Sequence, residues 1–107
     1  MDIFRGLNGT IVLREDCVQI LREGRIDRTF HSQEKIEIPY SEIKEVHYTA
    51  GSMINGYVSI VRTGTKRPVG IIKAMKDDAS VVFRMFKNRE AKETAVEIRR
   101  RQQKFQQ

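Results

Sequence analysis

The chain has little of what covalent and redox chemistry requires. Of its 107 residues one is a cysteine, Cys17, and two are histidines, His31 and His47. A single cysteine excludes an internal disulfide, and a reducing compartment, most simply a cytoplasm, is the expected location. No two of these three residues stand at zinc-like spacing, and a zinc site takes three or four protein ligands. No metal or other cofactor is therefore expected. No apolar run approaches the roughly 20 residues that span a bilayer. The opening "MDIFRGLNGTIVL" carries a charge and two glycines where an export signal needs an apolar block, so export is not expected. Repeats, low-complexity tracts and linkers are absent. So are Gly-x-Gly-x-x-Gly and related phosphate-binding patterns.

Cys17 opens a strand-like run, where cysteine is more often a small core residue than a nucleophile. His47 stands mid-strand between Val46 and Tyr48 and faces away from both. His31 falls in a loop. Asp77-Asp78 is a carboxylate pair, but "KDDA" reads as an ordinary turn. With no catalytic set, neither an enzyme nor a small-molecule substrate is expected.

What is present is a basic, half-polar chain of one-domain size, expected to fold as a single unit over 1–107. It is 39% hydrophobic and 32% charged, with a net charge of +6. Residues 88–107 supply half of that excess, mostly through Arg99, Arg100, Arg101 and Lys104. A basic balance suits nucleic acid, acidic lipid or acidic protein. Basic residues at a helix end also complement its dipole with no partner at all.

Short alternating segments fill the region from about 3 to 86. Seven strands are predicted: Thr10–Leu13, Cys17–Leu21, Lys35–Ile38, Ile43–Thr49, Gly56–Arg62, Val69–Met75 and Ser80–Phe86. Asn8-Gly9 and Glu15-Asp16 supply turns. Pro39 ends the third strand because it cannot donate to a ladder. The stretch "EKIEIPYSEIKEVHY" then turns a corner, with Ile36, Ile38, Ile43 and Val46 in the core. From Asn88, a good N-cap, the period changes. Ala91, Ala95, Ile98, Gln102 and Phe105 make one face of a helix over about 88–105. So short a helix needs a partner surface, and the open end of the sheets is expected to supply it.

Read in order, "GLNGTIVLREDCVQILREG", "KIEIPYSEIKEV", "NGYVSIV" and "DDASVVFRMFKNREAKETAVEIRR" resemble bacterial PH-like domains of uncharacterised type, over about residues 4 to 101. The resemblance implies a bacterial or phage protein of mainly β class. Its fold would be a seven-stranded antiparallel barrel or orthogonal sandwich capped by one C-terminal helix. It also implies a fold that often assembles into oligomers. PH domains that bind phosphoinositides use a basic first hairpin, whereas this one carries Glu15 and Asp16.

Three features could bind a partner. The predicted hairpin tip "RTGTKRP" offers Arg62, Lys66 and Arg67 with nearby backbone amides, an anion perch or else a solubilising turn. The loop "AGSMING" offers Met53 and Ile54, which either grip a partner or fold over the mouth of the sheets. The helix offers Arg99, Arg100, Arg101 and Lys104, but nucleic acid favours interleaved aromatics and only Phe105 is near. The expected function is a non-catalytic interaction module that binds protein, self-association included, through Met53 and Ile54. The runner-up is an anionic surface, acidic phospholipid or nucleic acid, held by the basic residues.

Overall fold

The computed structural model describes residues 2–23 and 33–105. Among these residues seven strands form two antiparallel sheets, and a long helix follows them. The first sheet is β1 (Ile3–Arg5), β2 (Thr10–Leu13), β3 (Cys17–Glu23) and β4 (Gln33–Pro39), in that spatial order. The second is β5 (Ile43–Thr49), β6 (Gly56–Arg62) and β7 (Ser80–Phe83). A short helix, α1 (Ile71–Lys76), lies between β6 and β7, and α2 (Asn88–Phe105) follows β7.

The first sheet is a meander built on tight turns. Between β1 and β2 the Gly6 N–H donates to the Gly9 carbonyl at 2.8 Å. A methyl group at Gly6 would lie 2.6 Å from the Val82 carbonyl oxygen, so only glycine lets this turn sit down on β7. Between β2 and β3 the Arg14 N–H donates to Cys17 O at 2.9 Å, making Glu15-Asp16 a tight hairpin tip. Val18 pairs with Ile38 and Ile20 with Ile36, so the apolar faces of β3 and β4 coincide. Gln19 bridges Arg14 and Glu37 on the opposite face. His31 and Gly24 lie outside the described residues.

The corner after β4 explains the alternation that precedes it. β4 ends at Pro39 and a 3₁₀ turn, Tyr40–Glu42, leads directly into β5 in the other sheet. Tyr40 is fully buried and its hydroxyl donates to Arg14 O at 2.9 Å, which ties the corner to the first hairpin. Ile43 and Val46 are both buried although they stand three apart, which a regular strand would place on opposite faces. A register shift between Ile43 and Glu45 returns both to the core.

Two expectations are corrected here. Val69–Met75 is not a strand. β6 pairs directly with β7, so that segment does not stand between them in the sheet. It forms α1 instead and covers the outer face of β6 and β7. Ile71 and Ala74, spaced three apart, pack there with Tyr57 and Val82. Gly70, with φ near +91°, turns the chain into it, and its N–H donates to the Tyr57 hydroxyl at 3.3 Å. β-Branched residues suit a strand locally, but tertiary placement overrides that propensity. The missing seventh strand is β1, which pairs with β2. Nor is the barrel closed. Among the described residues β4 and β5 share no ladder, and the β1–β2 turn meets β7 through isolated bonds rather than paired strands. Cys17 is half-buried rather than a core residue.

The main core gathers side chains from both sheets and α2. Phe4 and Phe83 meet edge to face at 5.7 Å between ring centres, and Tyr48 stacks on Phe83 at 6.1 Å. α2 contributes Ala91, Thr94, Ala95 and Ile98. The helix covers β5 and the Tyr40 corner rather than a barrel mouth. Gln102 donates to Ile43 O at 2.8 Å, and Arg99 donates to Val46 O at 2.6 Å. These two side chains satisfy carbonyls along the outer edge of β5, an edge that would otherwise invite a stray strand. Among the described residues no helix is long and apolar enough to cross a membrane.

Candidate interaction surface

The groups most able to do chemistry are engaged in structural contacts. The Cys17 thiol is held above its ordinary range, first by burial and then by the carboxylates of Asp16 and Glu37. His47 is half-buried, with Nε2 against the Glu45 carboxylate and Nδ1 3.0 Å from the Arg67 guanidinium. That histidine contact holds Glu45 below the usual carboxylate range. The Ser59 and Ser80 hydroxyls lie 2.7 Å apart across β6 and β7, and Ser80 Oγ donates to Asp77 Oδ2 at 2.5 Å. This buried chain joins two strands and contains no imidazole. Among the described residues no group of three His, Cys, Asp or Glu could hold a metal ion.

The basic candidates are scattered, and most are occupied. "RTGTKRP" is not a hairpin tip, because the chain runs on into α1. Arg62 pairs with Asp78 at 2.9 Å. Arg67 rests on His47. Only Lys66 of this group extends without a partner among the described residues. On α2, Arg99 caps the Val46 carbonyl, as above. Arg100 and Arg101 converge on Glu97, at 2.6 and 2.7 Å. Arg101 also reaches Asp2 at 3.2 Å, Arg14 O at 3.1 Å and the Tyr40 hydroxyl at 3.3 Å. Hydrogen bonds from Arg100 and then Arg101 hold the Glu97 carboxyl down to about 2. The same contacts raise the Arg101 guanidinium further above its usual range. Arg99 therefore clamps α2 to β5 and Arg101 clamps it to the corner, while Arg100 pairs within the helix. Lys104 stays exposed beside Phe105, whose ring stacks on Tyr40 at 5.6 Å while remaining 45% exposed.

The apolar candidates stand free. Met53 is 100% exposed and Ile54 64% exposed. They do not fold back over the sheets. Their loop is nevertheless held firmly at its base. The Gly51 N–H donates to Asn88 Oδ1 at 2.8 Å, and Asn88 Nδ2 donates to Gly51 O at 2.9 Å. Asn88 therefore serves the loop rather than capping its own helix. The Ser52 N–H donates to Ile54 O at 2.8 Å and closes the tip. A methyl at Gly56 would lie 2.4 Å from Thr49 O, so the loop's exit also requires glycine.

Three residues that belong with this loop were missed from sequence: Leu7, Met85 and Phe86. Ser80–Phe86 reads as one strand, but β7 ends at Phe83, and a 3₁₀ turn over Met85–Lys87 swings the next two apolar side chains outward. Phe86 is 75% exposed and Met85 60%. Gly51 packs on the backbone of Met85, where an added methyl would lie 3.1 Å from Met85 Cα. Leu7, on the β1–β2 turn, donates its N–H to Val82 O at 2.7 Å. Leu7 and Phe86 wall a cleft of about 220 Å³, with Phe83 behind them and Arg5, Arg84 and Lys87 around it. The β1–β2 turn, the β5–β6 loop and the β7–α2 connector thus meet at one end of the sheets. Arg84, a charge immediately past Phe83, is the sequence signal that could have ended the strand there and left Met85 and Phe86 outside it.

Compared with protein-family models, with curated proteins and with solved structures, the chain has no match.

Proposed function

We propose that this chain is a non-catalytic, PH-like interaction module that docks onto another protein through the apolar end formed by Met53, Ile54, Met85 and Phe86. The observation that carries this reading is a fully exposed Met53 on a loop locked at its base by Asn88. Exposed apolar clusters mark binding surfaces. A tip that is already ordered loses little freedom on binding. The basic residues that would serve an anionic surface are instead mostly paired within the chain, which weighs against lipid or nucleic acid at those positions. Among the described residues, seven strands, four then three, with the long helix α2 after the last of them, support the PH-like resemblance. Self-association is one form such docking can take. The working compartment is a reducing one, a cytoplasm.

Site-directed photocrosslinking in the native host tests the proposal, with light scattering on the purified chain. A benzophenone side chain at position 53 is expected to capture a protein, its own copy included, while one at position 66 captures none. The folded double variant Met53→Ser/Ile54→Ser is expected to lose a partner found by pull-down. Equal capture from both positions, or undiminished binding by the double variant, would sink it.

A further inference from the structure

The docking end has a charge as well as an apolar face. The segments 5–9, 50–55 and 84–87 contain no aspartate or glutamate, while Arg5, Arg84 and Lys87 surround the cleft. Elsewhere arginines are engaged within the chain: Arg62, Arg89, Arg100 and Arg101 pair with carboxylates, while Arg14, Arg22, Arg67 and Arg99 bond neutral side chains or carbonyls. At this end no such pair forms among the described residues. Arg5 and Arg84 are exposed and have no ion-pair partner among the described residues. Lys87 lies over the Phe4 ring at 5.7 Å and donates to Arg5 O at 3.0 Å, which fixes its charge at the cleft rim.

We infer that the partner is an acidic protein segment: an apolar side chain enters the cleft between Leu7 and Phe86, and flanking carboxylates meet Arg5 and Arg84. This rests on the docking end proposed above and names the chemistry of what docks there. Charge complementarity selects the occupant. A second copy meeting this end symmetrically would set Arg5, Arg84 and Lys87 against their own counterparts, and like charges oppose that contact. An acidic bilayer would satisfy the charges but leave the cleft unused. A cleft with an aromatic wall and a cationic rim fits an apolar side chain with carboxylates on either side.

The test is selection of peptides from a displayed random library on the immobilised full chain, read beside binding to phosphatidylcholine vesicles with and without phosphatidylserine. The enriched peptides are expected to carry Asp or Glu around one large apolar residue. Their binding should fall with added salt, because exposed charges are screened. Arg5→Glu/Arg84→Glu should weaken them by about tenfold or more, because two attractive charges become repulsive ones. Phe86→Ser should also abolish them, with both variants checked for folding. Enrichment of neutral or basic peptides, lost on Phe86→Ser but indifferent to Arg5→Glu/Arg84→Glu, would overturn the acidic partner and leave the docking end standing. Binding to phosphatidylserine vesicles without peptide enrichment would overturn it in favour of a membrane. No enrichment and no binding, together with no crosslink from position 53, would remove the docking end as well.

Discussion

The side chain of Asn88 and the backbone of Gly51 form a reciprocal pair, each giving and taking one hydrogen bond, at 2.8 and 2.9 Å. The pair couples the first turn of α2 to the base of the loop that displays Met53. Gly51 is buried, so removing the carboxamide leaves its N–H and carbonyl without partners. Asn88→Ala is expected to cost about 1–3 kcal/mol in urea melts. It should also speed amide exchange at Gly51 and Ser52 more than at β2, since opening would be local. Asn88→Asp keeps the acceptor but sets a carboxylate against Gly51 O, and should not rescue. Unchanged exchange at Gly51 in Asn88→Ala would refute the tether.

Ile98 is fully buried and Arg100 faces solvent on the same helix. Ile98→Ala should cost about 2–5 kcal/mol, through lost burial and the cavity left behind. Arg100→Ala should cost little, because the side chain is solvent-exposed and Arg101 still holds Glu97. Denaturant melts separate the two, and an Ile98→Ala variant as stable as the parent would mean α2 is not docked.

Legibility from sequence followed how local each cause is. Ile36 and Ile38 alternate with charges, and Pro39 stops them, so the strand and its end could be read directly. Ile43 and Val46 could be read as core, but the irregularity that allows their spacing could not. Ile3–Arg5 offered three residues with one buried side chain, too short a pattern to register. Ile71 and Ala74 carried a helical spacing hidden under β-branched residues, and only the direct β6–β7 pairing decides against a strand. At the docking end, Met53 and Ile54 stood out among Gly, Ser and Asn. Phe86 did not, because Ser80–Phe86 reads as one strand. The partners of Arg99 and Arg101, Val46 O and Asp2, are far away in sequence, so an arginine run that looked free is in fact bound.

Glu97 makes the stability of α2 depend on pH. Its carboxyl falls from an ordinary 4.5 to about 2 in the fold. A depressed folded value means the stabilisation is complete above about 4.5 and is lost as pH falls towards 2. The melting temperature should therefore drop across that window. Glu97→Gln should be less stable than the parent at neutral pH, and the gap should close by pH 2. A gap that stays constant with pH would show that the arginines do not act through this carboxylate.

Arg22 fastens the two sheets together near the docking end. Nη1 donates to Asn8 O at 2.8 Å, and Nη2 donates to Asp77 O at 3.0 Å and Ser80 O at 2.5 Å. Asn8 in turn accepts from the Val82 N–H at 2.8 Å, so the β1–β2 turn, the end of α1 and β7 share one guanidinium. A planar fork with several donors can meet carbonyls in three directions, whereas an ammonium is a compact point charge. Arg22→Lys is expected to destabilise by about 1.5–3 kcal/mol, the range for hydrogen bonds to charged groups. Amide exchange at Leu7 and Val82 should quicken, because the turn loses its anchor to β7. The cleft between Leu7 and Phe86 would loosen with it, and selected peptides should bind more weakly although Arg22 is not among its lining residues. If Arg22→Lys melts with the parent and keeps Leu7 and Val82 protected, the turn is held by its own bonds to Val82 and the guanidinium is dispensable.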